Sequence, residues 1–274
     1  MTEFMYDVDG VLIAALLLLS MVIAVDGGAR LGRRRAVQAS EAFKSHVNGI
    51  AASLVGVLAL LLGFSFSLAL QRYDSRSMAV VEEANALGTA YLRTGLLPAS
   101  VREDVRRTMR EYIDLRVRSS GISLNRHEAR KTVLAEAGEL QSRLWNLAVA
   151  AAEEAPNPVT TGLFIQSLND AIDEFGRRDA TLDRHVPEFV LLLLFVTFLM
   201  ASAIVGYSAG LSGHRASLVT YVLVALITVL VFVILDLDRP RRGFIRISQH
   251  SLLELQAAVH QNDPPASGAP SPGR

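Results

Sequence analysis

The side chains best placed to do chemistry fall in two short segments. Gly63-Phe64-Ser65-Phe66-Ser67 sets two aromatic rings and two hydroxyls inside a long apolar run. Rings in such a place can form a hydrophobic constriction, and hydroxyls can serve as weak ligands for a passing ion. Asp236 and Asp238 close a second apolar run immediately before Arg239-Pro240-Arg241-Arg242-Gly243, while Arg72 and Asp74 close the run that carries the phenylalanines. Carboxylates at those edges could hold a cation or neutralise neighbouring arginines. The plainer reading of Asp236 and Asp238 is an electrostatic stop at the end of a helix.

Other chemistries find little support. The histidines at 46, 127, 185, 214, 250 and 260 are scattered, and no two have the i, i+4 spacing that would place both on one helical face as metal ligands. There is no cysteine, which removes thiolate nucleophiles and cysteine-bound metals together. Asp170 and Glu174 lie one helical turn apart, but Arg177 and Arg178 follow, as on an ordinary solvated face. Glu82 and Glu83 read as a polar face as well. A phosphate-binding loop, a dinucleotide fingerprint and a nucleophile elbow are all missing from the sequence. It is read as no enzyme, with no cofactor and no metal site.

Composition says what must position the two segments. Of 274 residues 51% are hydrophobic and 20% charged, and 27 Lys+Arg balance 27 Asp+Glu, so no net charge draws in a nucleic acid. A mean hydropathy of +0.33 is high for a domain that folds in water. The apolar residues gather into blocks long enough to approach the ~20 residues that a helix needs to cross a bilayer. Four spans are expected: Val11 to Val25, Val47 to Leu70, Phe189 to Val205 and Leu218 to Leu235. The first is short, and its acidic N-terminal flank of Glu3, Asp7 and Asp9 favours a retained anchor over a cleaved signal. A link from Ser208 to Ser217 joins the last two as a hairpin.

Between the second and third spans the pattern turns amphipathic with helical period, and no strand-like alternation appears. The first insert helix is expected to continue the second span, with Val80, Ala84, Leu87, Ala90 and Tyr91 on one side, and to end at Gly95 and Pro98. A second is expected to open at Ser100 with Glu103 completing a capping box, and to carry Val105, Met109, Tyr112, Ile113 and Arg116. Asn125 caps a third, and a fourth starts at Pro158. The fold class is therefore all-α: a polytopic membrane protein with four transmembrane helices and a helical-bundle insert between the second and third. The expected division is 1–74 for transmembrane helices 1 and 2, 75–187 for the insert, and 188–238 for helices 3 and 4. Residues 239–261 form an interfacial amphipathic segment and 262–274 a disordered tail.

Along the second span Ala52, Gly56, Ala59, Gly63 and Ser67 recur at steps of four and three. Small residues in a stripe let another helix come close, so packing within the chain is one reading. The other is that Gly63, Phe64, Ser65, Phe66 and Ser67 line a conduction path. For sidedness, Arg30, Arg33, Arg34, Arg35 and Lys44 fill the first loop, which the positive-inside rule assigns to the cytoplasm with the N-terminus outside. The arginines after Asp238 pull the other way. Multi-pass residence in the cell (inner) membrane follows, with the lipid bilayer as partner.

One family likeness covers nearly the whole chain. Gly63-Phe-Ser-Phe-Ser-Leu-Ala-Leu, then Arg72-Tyr73-Asp74, Glu83-Ala84-Asn85-Ala86-Leu87-Gly88-Thr89-Ala90-Tyr91-Leu92-Arg93, and the closing Asp236-Leu-Asp-Arg-Pro-Arg-Arg-Gly resemble the bacterial membrane family labelled as a bestrophin-like domain. By distant similarity the resemblance implies an oligomeric anion channel whose second membrane helix lines the pore with bulky apolar residues, Phe64 and Phe66 being the constriction. A homo-oligomer conducting inorganic ions is the leading expectation. A membrane-anchored sensor or scaffold, whose insert binds a ligand or a protein, is the alternative.

Overall fold

The computed structural model describes residues 8–121, 127–182, 188–214, 217–238 and 244–261. Every regular element among them is helical: α1 (Gly10–Ala36), α2 (Glu41–Arg93), a 3₁₀ turn (Thr94–Leu96), α3 (Ala99–Ser120), α4 (His127–Glu154), α5 (Thr161–Leu182), α6 (Glu188–Leu211), α7 (Leu218–Leu237) and α8 (His250–Gln261). The protein is all-α. Four segments are long and apolar enough to cross a membrane, namely Gly10–Ala36, Glu41–Leu96, Val190–Leu211 and Leu218–Leu237.

The membrane helices are longer than the apolar runs alone suggest. Asp9 starts α1, its carboxylate accepting from the Val11 amide at 2.8 Å. The helix then runs 27 residues, past Asp26 and through Gly27-Gly28, to a last turn of Arg33, Arg34 and Arg35. Basic side chains there oppose the negative end of the helix dipole. The expected fifteen-residue span is thus the apolar part of a 27-residue helix. Likewise α6 continues to Leu211, so Gly206 and Gly210 are helical and the hairpin link shrinks to residues 212–217. The helix α2 is 53 residues long and passes unbroken through Tyr73 and Asp74.

Contacts divide the chain into two compact units, Met1–Tyr73 with His185–Arg246, and Asp74–Arg184 with Ile247–Arg274. In the first, α1 packs along α6 and also meets α7. Its core gathers Leu17, Met21 and Val25 from α1, Leu58 and Leu62 from α2, Phe198 and Ala201 from α6, and Val224 and Ile234 from α7. Polar pairs also cross this unit. Tyr221 donates to Asp26 at 2.6 Å, and the Ser208 hydroxyl donates to the Asn48 side-chain oxygen. A polar side chain in lipid seeks such a partner because hydrocarbon offers it none.

In the second unit α3 packs on α4 and α8, and α4 on α5. Helix α3 begins at Ala99 behind Pro98, with no side chain capping it. The expected capping box at Ser100 does not form: Pro98 fixes the entry, its carbonyl accepting from Val101 and Arg102, and Ser100 donates to Glu154 at 2.5 Å instead. Gly121 closes α3, as the sequence suggests. The Asn157 side chain accepts from the Val159 and Thr160 amides, an Asx turn that delays α5 to Thr161 rather than Pro158. The expected cap Asn125 lies outside the described residues. Helix α8 is seated by Leu252 and Val259, both buried, by Tyr91 donating to the Val259 carbonyl at 3.2 Å, and by Gln256 donating to Asp114 at 2.7 Å.

Candidate functional site

Helix α2 turns a different side chain to its core with each turn. Ala51, Leu58, Leu62 and Ala69 are buried, and Phe66 packs against the same core cluster. The opposite face carries Gly49, Ser53, Gly56, Leu60, Gly63, Phe64 and Ser67, all exposed. A side chain added at Gly49, Gly56 or Gly63 would meet nothing within 4 Å. Among the described residues nothing therefore fills the space over these three glycines, and Phe64 is 59% exposed beside them. Two residues along a helix turn by about 200°, so Phe64 and Phe66 cannot point the same way. Of the five sequence candidates the structure gathers Gly63, Phe64 and Ser67 on the open face. Ser65 is half-buried, and Phe66 turns inward.

Of the membrane-edge residues, Arg72, Asp236 and Asp238 are engaged with protein. Asp238 is buried and pairs with Arg72 at 3.3 Å. Both oxygens of buried Asp236 accept backbone amides, Phe244 at 3.0 Å and Ile245 at 2.8 Å, which ties the chain after α7 back to its last turn. These are charge-assisted bonds in which the aspartates are acceptors already supplied with donors. Asp74 is exposed, and Arg239 lies outside the described residues. Among the described residues no three histidine, aspartate or glutamate side chains gather as a metal site.

Sequence reasoning missed two arrangements. The first is a buried ionic cluster in the second unit. Glu83, expected on a polar face, is 0% exposed and accepts from Arg116 at 2.5 Å and from Arg178, itself 2% exposed and expected on a solvated face. Arg178 also donates to Gln249 at 2.8 Å, and Arg116 to Ser119. The Arg116 guanidinium stacks 4.4 Å from the Phe175 ring centroid, a cation–π contact in a desolvated place. Burial beside this cluster pushes the Tyr112 hydroxyl up to about 12, and Gln141 holds it at 2.8 Å. One signal was present: Arg116 continues the apolar stripe Val105, Met109, Tyr112, Ile113, and a cation on such a stripe needs a buried carboxylate.

The second is the seam of α1 and α6. A side chain at Gly28 would collide with the Ala203 carbonyl, at Gly32 with Tyr207, at Gly206 with Val25, and at Gly210 with Ala29, backbone atoms in every case. Each helix thus presents a glycine pair four residues apart to the other's backbone, the GxxxG arrangement of close-packed membrane helices. That spacing was legible in Gly28-Ala-Arg-Leu-Gly32 and Gly206-Tyr-Ser-Ala-Gly210.

The fold has a counterpart among solved structures: a crystal structure of a membrane protein superposes with a TM-score of 0.62 at 15% identity, covering 92% of this chain and 97% of that one. No curated protein matches the chain. A family model described as a bestrophin-like domain matches residues 14–252.

Proposed function

This chain belongs to the bestrophin-like domain family of membrane proteins, and from that premise we propose that it assembles as a homo-oligomer and conducts anions along a path lined by α2. The observation that carries this reading is the open face of α2, where Gly49, Gly56 and Gly63 meet nothing and Phe64 stands exposed. In lipid, small residues are useful where another helix must approach, and among the described residues no helix of the same chain comes within 4 Å of a side chain added at these glycines. Copies of α2 around a common axis would fill that space. Phe64 would then supply the apolar constriction and Ser67 a hydroxyl one turn away, with Phe66 holding α2 to its own subunit.

The second unit folds in water in this reading, and the arginine-rich last turn of α1, where the basic residues expected in a loop are helical, lies in the cytoplasm of a bacterial cell whose inner membrane the protein spans. Arg72–Asp238 and the Asp236 cap fix the ends of α2's apolar part and α7 at the bilayer edge. The test is chloride flux from liposomes holding the purified protein. Wild type is expected to conduct, and Phe64→Ala to conduct faster because the constriction widens. Phe66→Ala is expected to leave the rate near wild type while lowering thermal stability, since it removes a ring packed on the core. A folded oligomer without flux ends the proposal.

The alternative, a membrane-anchored sensor or scaffold, draws on the outward face of α4, where Trp145 is 40% and Val149 44% exposed. A monomer that carries no flux, and loses a bound ligand or protein when Trp145 is replaced, would favour it.

A further inference from the structure

The first unit encloses a cavity of about 160 Å³ among its four helices. Its inner wall is Met21 of α1, Leu58 and Leu62 of α2, Phe198 and Ala201 of α6, and Val224 of α7, all buried. Ser202 and Thr220 add the hydroxyls, and the rest of the lining is apolar. The void is as large as apolar cavities that stay dry and take up benzene or xenon, because water needs two to four polar partners and finds too few. Left empty, such a space forfeits the dispersion contacts of every side chain around it.

The rim identifies the occupant. Ala59 on α2 and Leu226 on α7 also line the cavity, and both are exposed. They belong to two segments apolar enough to cross the bilayer. The mouth thus opens sideways between α2 and α7, where the surrounding medium is hydrocarbon and not water. We propose that this cavity is a binding site for the end of a phospholipid acyl chain, which enters between α2 and α7 and packs against Leu58, Phe198 and Val224. The site does not depend on conduction: it needs only that these helices sit in lipid. An acyl tail there would brace α2 on its inner side, away from Gly49, Gly56 and Gly63.

Reconstituting the full chain in phosphatidylcholine bilayers that contain a phospholipid with a diazirine near the tail terminus, then irradiating and mapping adducts by mass spectrometry, tests this. Adducts are expected on Leu58, Leu62, Phe198 or Val224 as well as on outward residues such as Leu60 and Leu192. Ala201→Phe, which fills the void from α6, is expected to lower the wall adducts at least tenfold and to spare the outward ones. Ala201→Leu gives the same comparison with a smaller filling if the phenylalanine variant does not fold. Adducts on outward residues alone in the wild type would overturn the proposal, as would wall adducts undiminished in a folded filled variant.

Discussion

The seam between α1 and α6 and the outward face of α2 are built from the same residue types and come to opposite ends. In the seam, Gly28, Gly32, Gly206 and Gly210 are filled by backbone of the facing helix. On α2, Gly49, Gly56 and Gly63 face open space. A small residue in a membrane helix marks close approach only when something approaches. Inside one chain the seam has used its small residues, whereas the glycines on the outer face of α2 meet nothing among the described residues.

The sharpest way to break this comparison is to put the same large side chain in both places. Gly206→Leu is expected to abolish the folded subunit, because the obstructing atom is the Val25 carbonyl and a backbone cannot step aside. The cost should exceed the usual 1–3 kcal/mol of overpacking. Gly56→Leu is expected to leave the subunit's melting temperature unchanged or slightly raised, glycine being about 0.5–1 kcal/mol worse than alanine inside a helix. It should instead dissociate the homo-oligomer proposed above. Thermal melts and size measurements of both variants in detergent check the pair, and equal damage from the two would erase the contrast.

The second unit holds its helices by charge where the first uses close approach. Glu83 stands between Arg116 and Arg178 with almost no exposure, so Glu83→Gln leaves two buried guanidiniums without their carboxylate. The expected loss is about 3–5 kcal/mol, typical of breaking a buried pair from one side. Differential scanning calorimetry should show it as a clearly lowered transition. A loss below about 1 kcal/mol would mean the cluster is wetter than its burial implies.

A smaller effect is expected at α8. Burial works to raise the Asp114 carboxyl, but the Gln256 amide and His260, at 2.7 and 3.0 Å, outweigh it and hold the group below its ordinary value. A carboxylate depressed in the folded state stabilises above its unfolded pKa, and that stabilisation is lost as the pH falls through the folded one. Amide exchange across residues 250–261, corrected for its intrinsic pH dependence, should therefore accelerate modestly below about pH 4. Asp114→Asn should remove that dependence and little else.

How much of this was legible in the sequence follows the same division. The apolar blocks announced four crossings, because lipid demands long uninterrupted helices, and the 3.6-residue period announced a helical insert. Helix ends were harder. The expected first span stops at Val25, before Asp26 and Gly27-Gly28, yet α1 runs on, since close packing at Gly28 offsets what glycine costs a helix. Glu83 and Arg178 looked solvated because a charge on a helix usually is, and only their partners on α2, α3 and α5 show otherwise. The amphipathic period of residues 250–261 was visible, but a period does not name its partner, and Leu252 and Val259 are buried within the second unit. For the candidate site, the Gly63–Ser67 segment stood out by type; which of its two rings faces outward depended on where Leu58 and Leu62 are buried.

The most direct test uses the absence of cysteine from this chain. Single Phe64→Cys and Phe66→Cys proteins, reconstituted in liposomes, would be treated with a water-soluble, charged thiol reagent while chloride flux is followed. If α2 lines the ion path with its open face, the reagent modifies the cysteine at 64 and changes the flux severalfold, and leaves the cysteine at 66 and its flux as they were. Equal modification at both positions, or modification at 64 with no change in flux, contradicts it.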